Sequence, residues 1–153
     1  MEETDQDIAS AFEVGLIIGV SAPNEVVAWA DTVVGGGEYP PAWVIPIALA
    51  QETDRLALLK LLRVAPEPSS EVMRWCLICE AIMGALDQNT CSLRQISSAL
   101  THCSLPESEE AALAGLETRY EASDAGEANW VTVDESFLAY IQGVITDVRM
   151  GDE

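Results

Sequence analysis

Lysine and arginine are scarce in this chain: there are seven among 153 residues, and none before Arg55. Ten carboxylates, from Glu2 to Asp54, precede that first base. So few bases cannot build the phosphate-contacting footprint on which nucleic-acid affinity depends. Nucleic acid and anionic lipid are therefore excluded as direct ligands. No apolar run reaches the ~20 residues that a membrane-spanning helix needs, so no membrane partner is expected. A basic n-region is lacking as well, since Met1 is followed by Glu-Glu-Thr-Asp. That start does not resemble a secretory signal, and a cytoplasmic location of bacterial type is the expectation. There is one histidine, His102, and there are four cysteines. Cysteines in an unexported chain are read as free thiols rather than a disulfide framework.

What the chain does have is acid and apolar bulk. Twenty-six carboxylates give a net charge of −19. Residues 1–54 carry −10, residues 55–94 carry +1 and residues 95–153 carry −10. Two acidic ends thus flank a near-neutral middle. Such a field repels phosphate and attracts basic proteins. The hydrophobic fraction of 49% against 22% charged residues is that of a globular chain. Its length suits one domain, residues 1–153, with a core of its own.

The apolar spacing is helical almost throughout. A first helix is predicted from Thr4 or Asp5 to Gly19, with Ile8, Ala11, Phe12, Gly15 and Leu16 inward. Ser21 reads as the N-cap of a second, with Pro23 in its first turn and Gly35-Gly36-Gly37 as its stop. Trp43 to Ala50, interrupted by Pro46, reads as a short, kinked, buried helix. Thr53 or Asp54 caps a fourth through Arg63, whose leucines (56, 58, 59, 61, 62) predict a central position. A fifth runs from about Glu71 to Leu86, and a sixth carries Leu93, Ile96, Leu100 and Cys103 in one stripe. Pro106 opens a seventh, with Leu113, Leu116 and Tyr120 inward and Glu110, Glu117 and Glu121 outward. Thr132 to Glu135 matches a capping box for the last helix. The expected fold class is all-α, a single compact domain of about seven or eight helices.

Catalytic chemistry finds little support. Cys76 and Cys79 have CxxC spacing, with Cys91, His102 and Cys103 as further ligand types. Yet Trp75 to Cys79 lies inside an apolar helical run, where thiols act as small hydrophobes, and structural zinc favours tight turns. His102 has no recognisable nucleophile turn beside it. Glu109-Glu110 and Asp134-Glu135 are neighbours, which sets them on different azimuths and suits helix starts better than a carboxylate pair. Gly35-Gly36-Gly37 lacks the Gly-Lys-Ser/Thr of a phosphate loop. No catalytic residue, metal or cofactor is expected.

Three surfaces remain for binding. One is the carboxylate line Glu110, Glu117 and Glu121, continued by Asp124 and Glu127. Another is the aromatic connector Tyr39-Pro40-Pro41-Ala42-Trp43, in which Tyr39 is the expected exposed anchor. The third is the N-terminal acidic cluster from Glu2 to Glu13.

Residues 14–50 carry a resemblance. Gly15-Leu16 and Gly19, then Glu25-Val26-Val27-Ala28-Trp29-Ala30-Asp31, Pro40-Pro41 and Ile45 to Leu49 resemble a pattern in small acidic all-helical bacterial proteins of the immunity type. Those proteins look like immunity proteins of polymorphic toxin systems or are uncharacterised. The resemblance covers about a quarter of the chain and transfers no functional residue. It implies a non-enzymatic protein that blocks a toxin by binding it. The expected partner is thus a basic protein, toxin or enzyme. The alternatives are a homodimeric structural or adaptor protein, and an enzyme using the cysteines.

Overall fold

Thr4 and Asp7 start the first helix between them. Thr4 Oγ1 accepts from the Asp7 N–H at 3.2 Å, and the Asp7 carboxylate accepts from the Thr4 N–H at 3.1 Å. This reciprocal cap satisfies two donors that a helix start leaves open. The helix, α1 (Asp5–Ile18), stops at Gly19, whose φ of 84° is the left-handed conformation that suits glycine. The structure, a computed structural model, describes residues 2–50 and 54–151. Among these residues seven more helices follow: α2 (Pro23–Gly35), α3 (Ile45–Ala48), α4 (Arg55–Leu62), α5 (Glu71–Asp87), α6 (Leu93–Leu100), α7 (Glu107–Asp124) and α8 (Trp130–Met150). They contain no strand, and the single all-α domain matches the expectation.

α1 divides the apolar interior. Its Ala9 and Leu16 join Val26, Ala30, Val44, Ile47 and Leu58 in a core shared with α2, α3 and α4. Its Ala11, Val14 and Ile18 join Ile78, Ile82, Ile96, Leu113, Tyr120 and Phe137 in a core shared with α5 to α8. Residues 9 and 11 differ by about 200° in azimuth, so one helix can present two apolar faces. α5 packs on both α1 and α8, which places it centrally, as its sparse charge predicts.

A buried acid joins the starts of α1 and α5. Asp7, fully buried, accepts from the Ser70 N–H at 3.0 Å. Ser70 in turn caps α5 by accepting from Met73 N–H at 3.1 Å. Burying this carboxylate is tolerable because backbone donors surround it.

Several local expectations change. Ser21 is not the α2 cap. Ala22 holds that position, and its N–H donates to Glu25 Oε1 at 3.1 Å. Ser21 instead packs on α1, where a Cβ added to Gly15 would lie 2.2 Å from its Oγ. α3 is one turn long and buries one side only. Val44 and Ile47 are enclosed, while Leu49 is 80% exposed. α4 is peripheral rather than central. Asp54 caps it, accepting from Ala57 N–H at 3.0 Å, whereas Thr53 lies outside the described residues. Leu58, Leu59 and Leu62 face α1 and α3, and Leu56 points to solvent, because two turns lying on the outside of a layer have one covered face. α8 starts earlier than the Thr132 box implies. Asn129 caps it by accepting from Val131 N–H at 2.9 Å, which leaves Thr132 inside the first turn. α7 continues to Asp124, so Glu121 and Asp124 are both helical.

Candidate binding surface

The inner line of α7 is as its spacing predicts: Leu113, Leu116 and Tyr120 are buried. The carboxylates beside it divide into two groups. Glu117, one turn after Leu113, lies at the margin of that stripe, and its side chain is only 14% exposed. Arg94 on α6 donates from Nη1 to both Glu117 oxygens, at 2.9 and 3.0 Å. Its Nε and Nη2 donate to Asp124 Oδ2 at 3.1 and 2.8 Å. Ser97 Oγ adds a bond to Glu117 at 2.7 Å. The guanidinium also lies 5.5 Å from the centre of the Tyr120 ring, within cation–π range. Hydrogen bonds to Asp124, and then to Glu117, raise the Arg94 pKa against the opposing effect of burial. Glu117 and Asp124 therefore clamp α7 to α6, and this is their work within the fold. Arg94 did not stand out in the sequence. The signal was the seven-residue interval from Glu117 to Asp124, which sets two acids on one helix face.

The second group faces outward. Glu110, Glu121 and Glu127 are exposed and form no ion pair with any described residue. Glu110 also lines a notch of about 240 Å³ between the end of α6 and the start of α7. Leu105 and Ala114 line it as accessible apolar walls beside the buried Leu100 and Leu113, and Ser97, Thr101 and Cys103 complete the lining. Tyr39 is 92% exposed in the α2–α3 connector. α7 packs on α6 and α8, whereas α2 packs on α3, so Tyr39 belongs to a different layer from the α7 acids. In the same layer as Tyr39, Trp29 sits between Phe12 and Trp43, with ring centres 5.6 and 6.3 Å away.

Other arginines are also turned toward this chain's own acids. Arg149 Nη2 donates to Glu80 at 2.6 Å and to Glu3 at 3.1 Å. Arg74, with a side chain 9% exposed, donates to Ser10, Glu71 and the Ser104 carbonyl. Arg63 stands 3.9 Å from Glu13. Internal pairing thus masks much of the little positive charge the sequence has. Glu3 and Glu13, from the N-terminal acidic cluster, take part in it.

Two phenols close the α7–α8 contact. Tyr120 donates to Asp134 at 2.5 Å, and Tyr140 donates to Glu109. Burial first, and the carboxylate acceptor second, push both phenol pKa values up. Adjacent acids in the sequence, Glu109-Glu110 and Asp134-Glu135, are therefore separated in role: one of each pair serves the interior and the other faces outward.

Cys76 and Cys79 are both fully buried on α5, and burial raises both thiol pKa values. Cys91 and Cys103 are partly buried, and His102 is exposed in the turn after α6. Among the described residues no group of three or more His, Cys, Asp or Glu side chains is placed to hold a metal ion. No described helix is long and apolar enough to cross a membrane. No family model, curated protein or solved structure matches this chain.

Proposed function

We propose that this chain is a non-catalytic binding protein of the immunity or inhibitor type. In this reading it acts in the cytoplasm and neutralises a basic toxin or enzyme by covering its surface. The observation that carries the reading is the pairing of Arg63, Arg74, Arg94 and Arg149 with this chain's own acids, while Glu110, Glu121 and Glu127 are exposed without an ion pair among the described residues. Outward carboxylates steer a cationic partner, and aromatic anchors such as Tyr39 slow its release. Capture of partners from source-cell lysate, eluted with stepped salt, tests it. One basic protein released at a defined step is expected. Glu110→Lys, Glu121→Lys and Glu127→Lys together should slow its association tenfold or more at low salt, on the order of known steering effects. An unchanged association rate removes these acids from the interface.

A second reading is favoured by the exposed apolar side chains of the N-terminal layer. Tyr39, Leu49 and Leu56 are 92, 80 and 71% exposed, and a second copy of the chain would cover them. Sedimentation separates the two readings. A dimer that persists on dilution supports self-association, and a monomer supports the foreign partner.

A further inference from the structure

The α6–α7 notch joins two properties seldom found together on one small surface. Its accessible walls, Leu105 and Ala114, are apolar, and its lining includes the exposed Glu110, a carboxylate with no ion pair among the described residues. The notch also opens at the C-terminal end of α6, where Leu100 is the last helical residue. A helix C-terminus carries partial negative charge and favours cations. An uncharged apolar ligand would waste the carboxylate, and a compact metal cation would find only one acidic ligand. An arginine could also pair with the carboxylate, but its hydrocarbon stem is one methylene shorter than that of lysine and covers less apolar wall. A lysine side chain combines a flexible hydrocarbon stem with a terminal point charge, and it partitions stem to apolar surface and head to the polar margin.

We propose that this notch receives a lysine side chain of the partner, its stem against Leu105 and Ala114 and its ammonium at Glu110. The proposal deepens the reading of a basic partner and rests on it for the source of the lysine. The site's chemistry, however, is testable without the partner. Glu110 is the one acid in its lining, and the nearby Glu109 and Glu117 are engaged elsewhere: Glu109 accepts from Tyr140, and Glu117 holds Arg94 and Ser97. Glu110 is thus the acid left to act there.

The test uses n-butylammonium, which is the lysine side chain without its backbone, and 1-butanol as its neutral counterpart. Each is titrated into the full chain while backbone amide shifts are followed by NMR. Saturable shifts at Thr101, Cys103, Leu105 and Leu113 are expected, with n-butylammonium binding up to about fivefold more tightly, the range of an exposed ion pair. Glu110→Gln, an exposed substitution, should abolish that preference while butanol binding persists. Glu121→Gln should leave it intact. Equal binding of the two probes, or a cation response that never saturates and spreads over all carboxylates, overturns the proposal. Failure of the wider reading looks different: the notch would prefer n-butylammonium, yet lysate capture would return no basic protein.

Discussion

The α2–α4 layer encloses aliphatic side chains against α1 and leaves its aromatics at the margin. Phe12, Trp29 and Trp43 are only partly buried there, and Tyr39 projects into solvent. The α5–α8 bundle does the reverse. It encloses Trp75, Tyr120 and Phe137 and ties its helices with Arg94–Glu117, Tyr120–Asp134 and Tyr140–Glu109. Aliphatic packing with few polar links, here the 3.9 Å Arg63–Glu13 pair, sets register less sharply. A core threaded by directed hydrogen bonds holds one register. The bundle therefore suits fixed presentation of surface groups such as Glu110, and the layer suits adaptable apolar contact.

Deep truncations should expose that contrast most. Phe137→Ala removes a fully buried ring and should cost about 3–5 kcal/mol, and Leu58→Ala in the other core about 2–5 kcal/mol. Urea unfolding followed by residue-resolved NMR decides whether the halves separate. A single transition in both variants shows that α1 couples them, and two transitions would break the comparison into independent units.

The seam comes next. Gly15→Ala should destabilise by about 1–3 kcal/mol through collision with Ser21. Paired with Ser21→Gly, the same substitution should become neutral or favourable, since alanine is the better helix former by about 1 kcal/mol. Thermal midpoints of the single and double variants check the change of sign.

The phenols sharpen the polar side of the contrast. Unfolded tyrosine titrates near about pH 10, and both phenols have raised pKa values in the fold. Below the unfolded pKa both states keep the proton and the contribution is whole. As pH rises toward the folded pKa only the unfolded chain ionises, so stability falls. Tyr120→Phe should cost about 1 kcal/mol at neutral pH and should make the alkaline decline shallower. Urea midpoints between pH 8 and 11 check it, on the order of the tyrosine range.

The smallest effect is expected at the surface link of α8 to α5. Arg149→Ala should cost no more than about 1 kcal/mol, and less in high salt. A larger, salt-independent loss would mean that the bundle depends on its edge pairs.

Much of this architecture was legible in the sequence where periodicity and caps agree. α1 with Gly19, the start of α5 at Glu71 and the Leu113–Leu116–Tyr120 stripe all follow from side-chain spacing and turn chemistry. Failures came where several residues compete for one local role. Leucines on every side of α4 suggested enclosure, but a two-turn helix at a margin covers one face. Asn129 and Thr132 both cap well, and the structure uses Asn129. The α7 acids were read as one line because spacing gives azimuth but not the position of Arg94 on another helix. Glu110, Glu121 and Glu127 remain outside, while Glu117 and Asp124 are drawn in by that single guanidinium.

α1 has no residue in full contact with water: from Asp5 to Ile18 every position is at least partly covered. Most helices leave one side on which substitutions pass unnoticed. This one does not, since each change must satisfy one core or the other, the Asp7 link or the Gly15–Ser21 seam. Tolerance to mutation should therefore be lowest across these fourteen positions and highest in the α2–α3 connector and on the outer side of α4. As the sequence drifts, α1 would be the last segment to become unrecognisable.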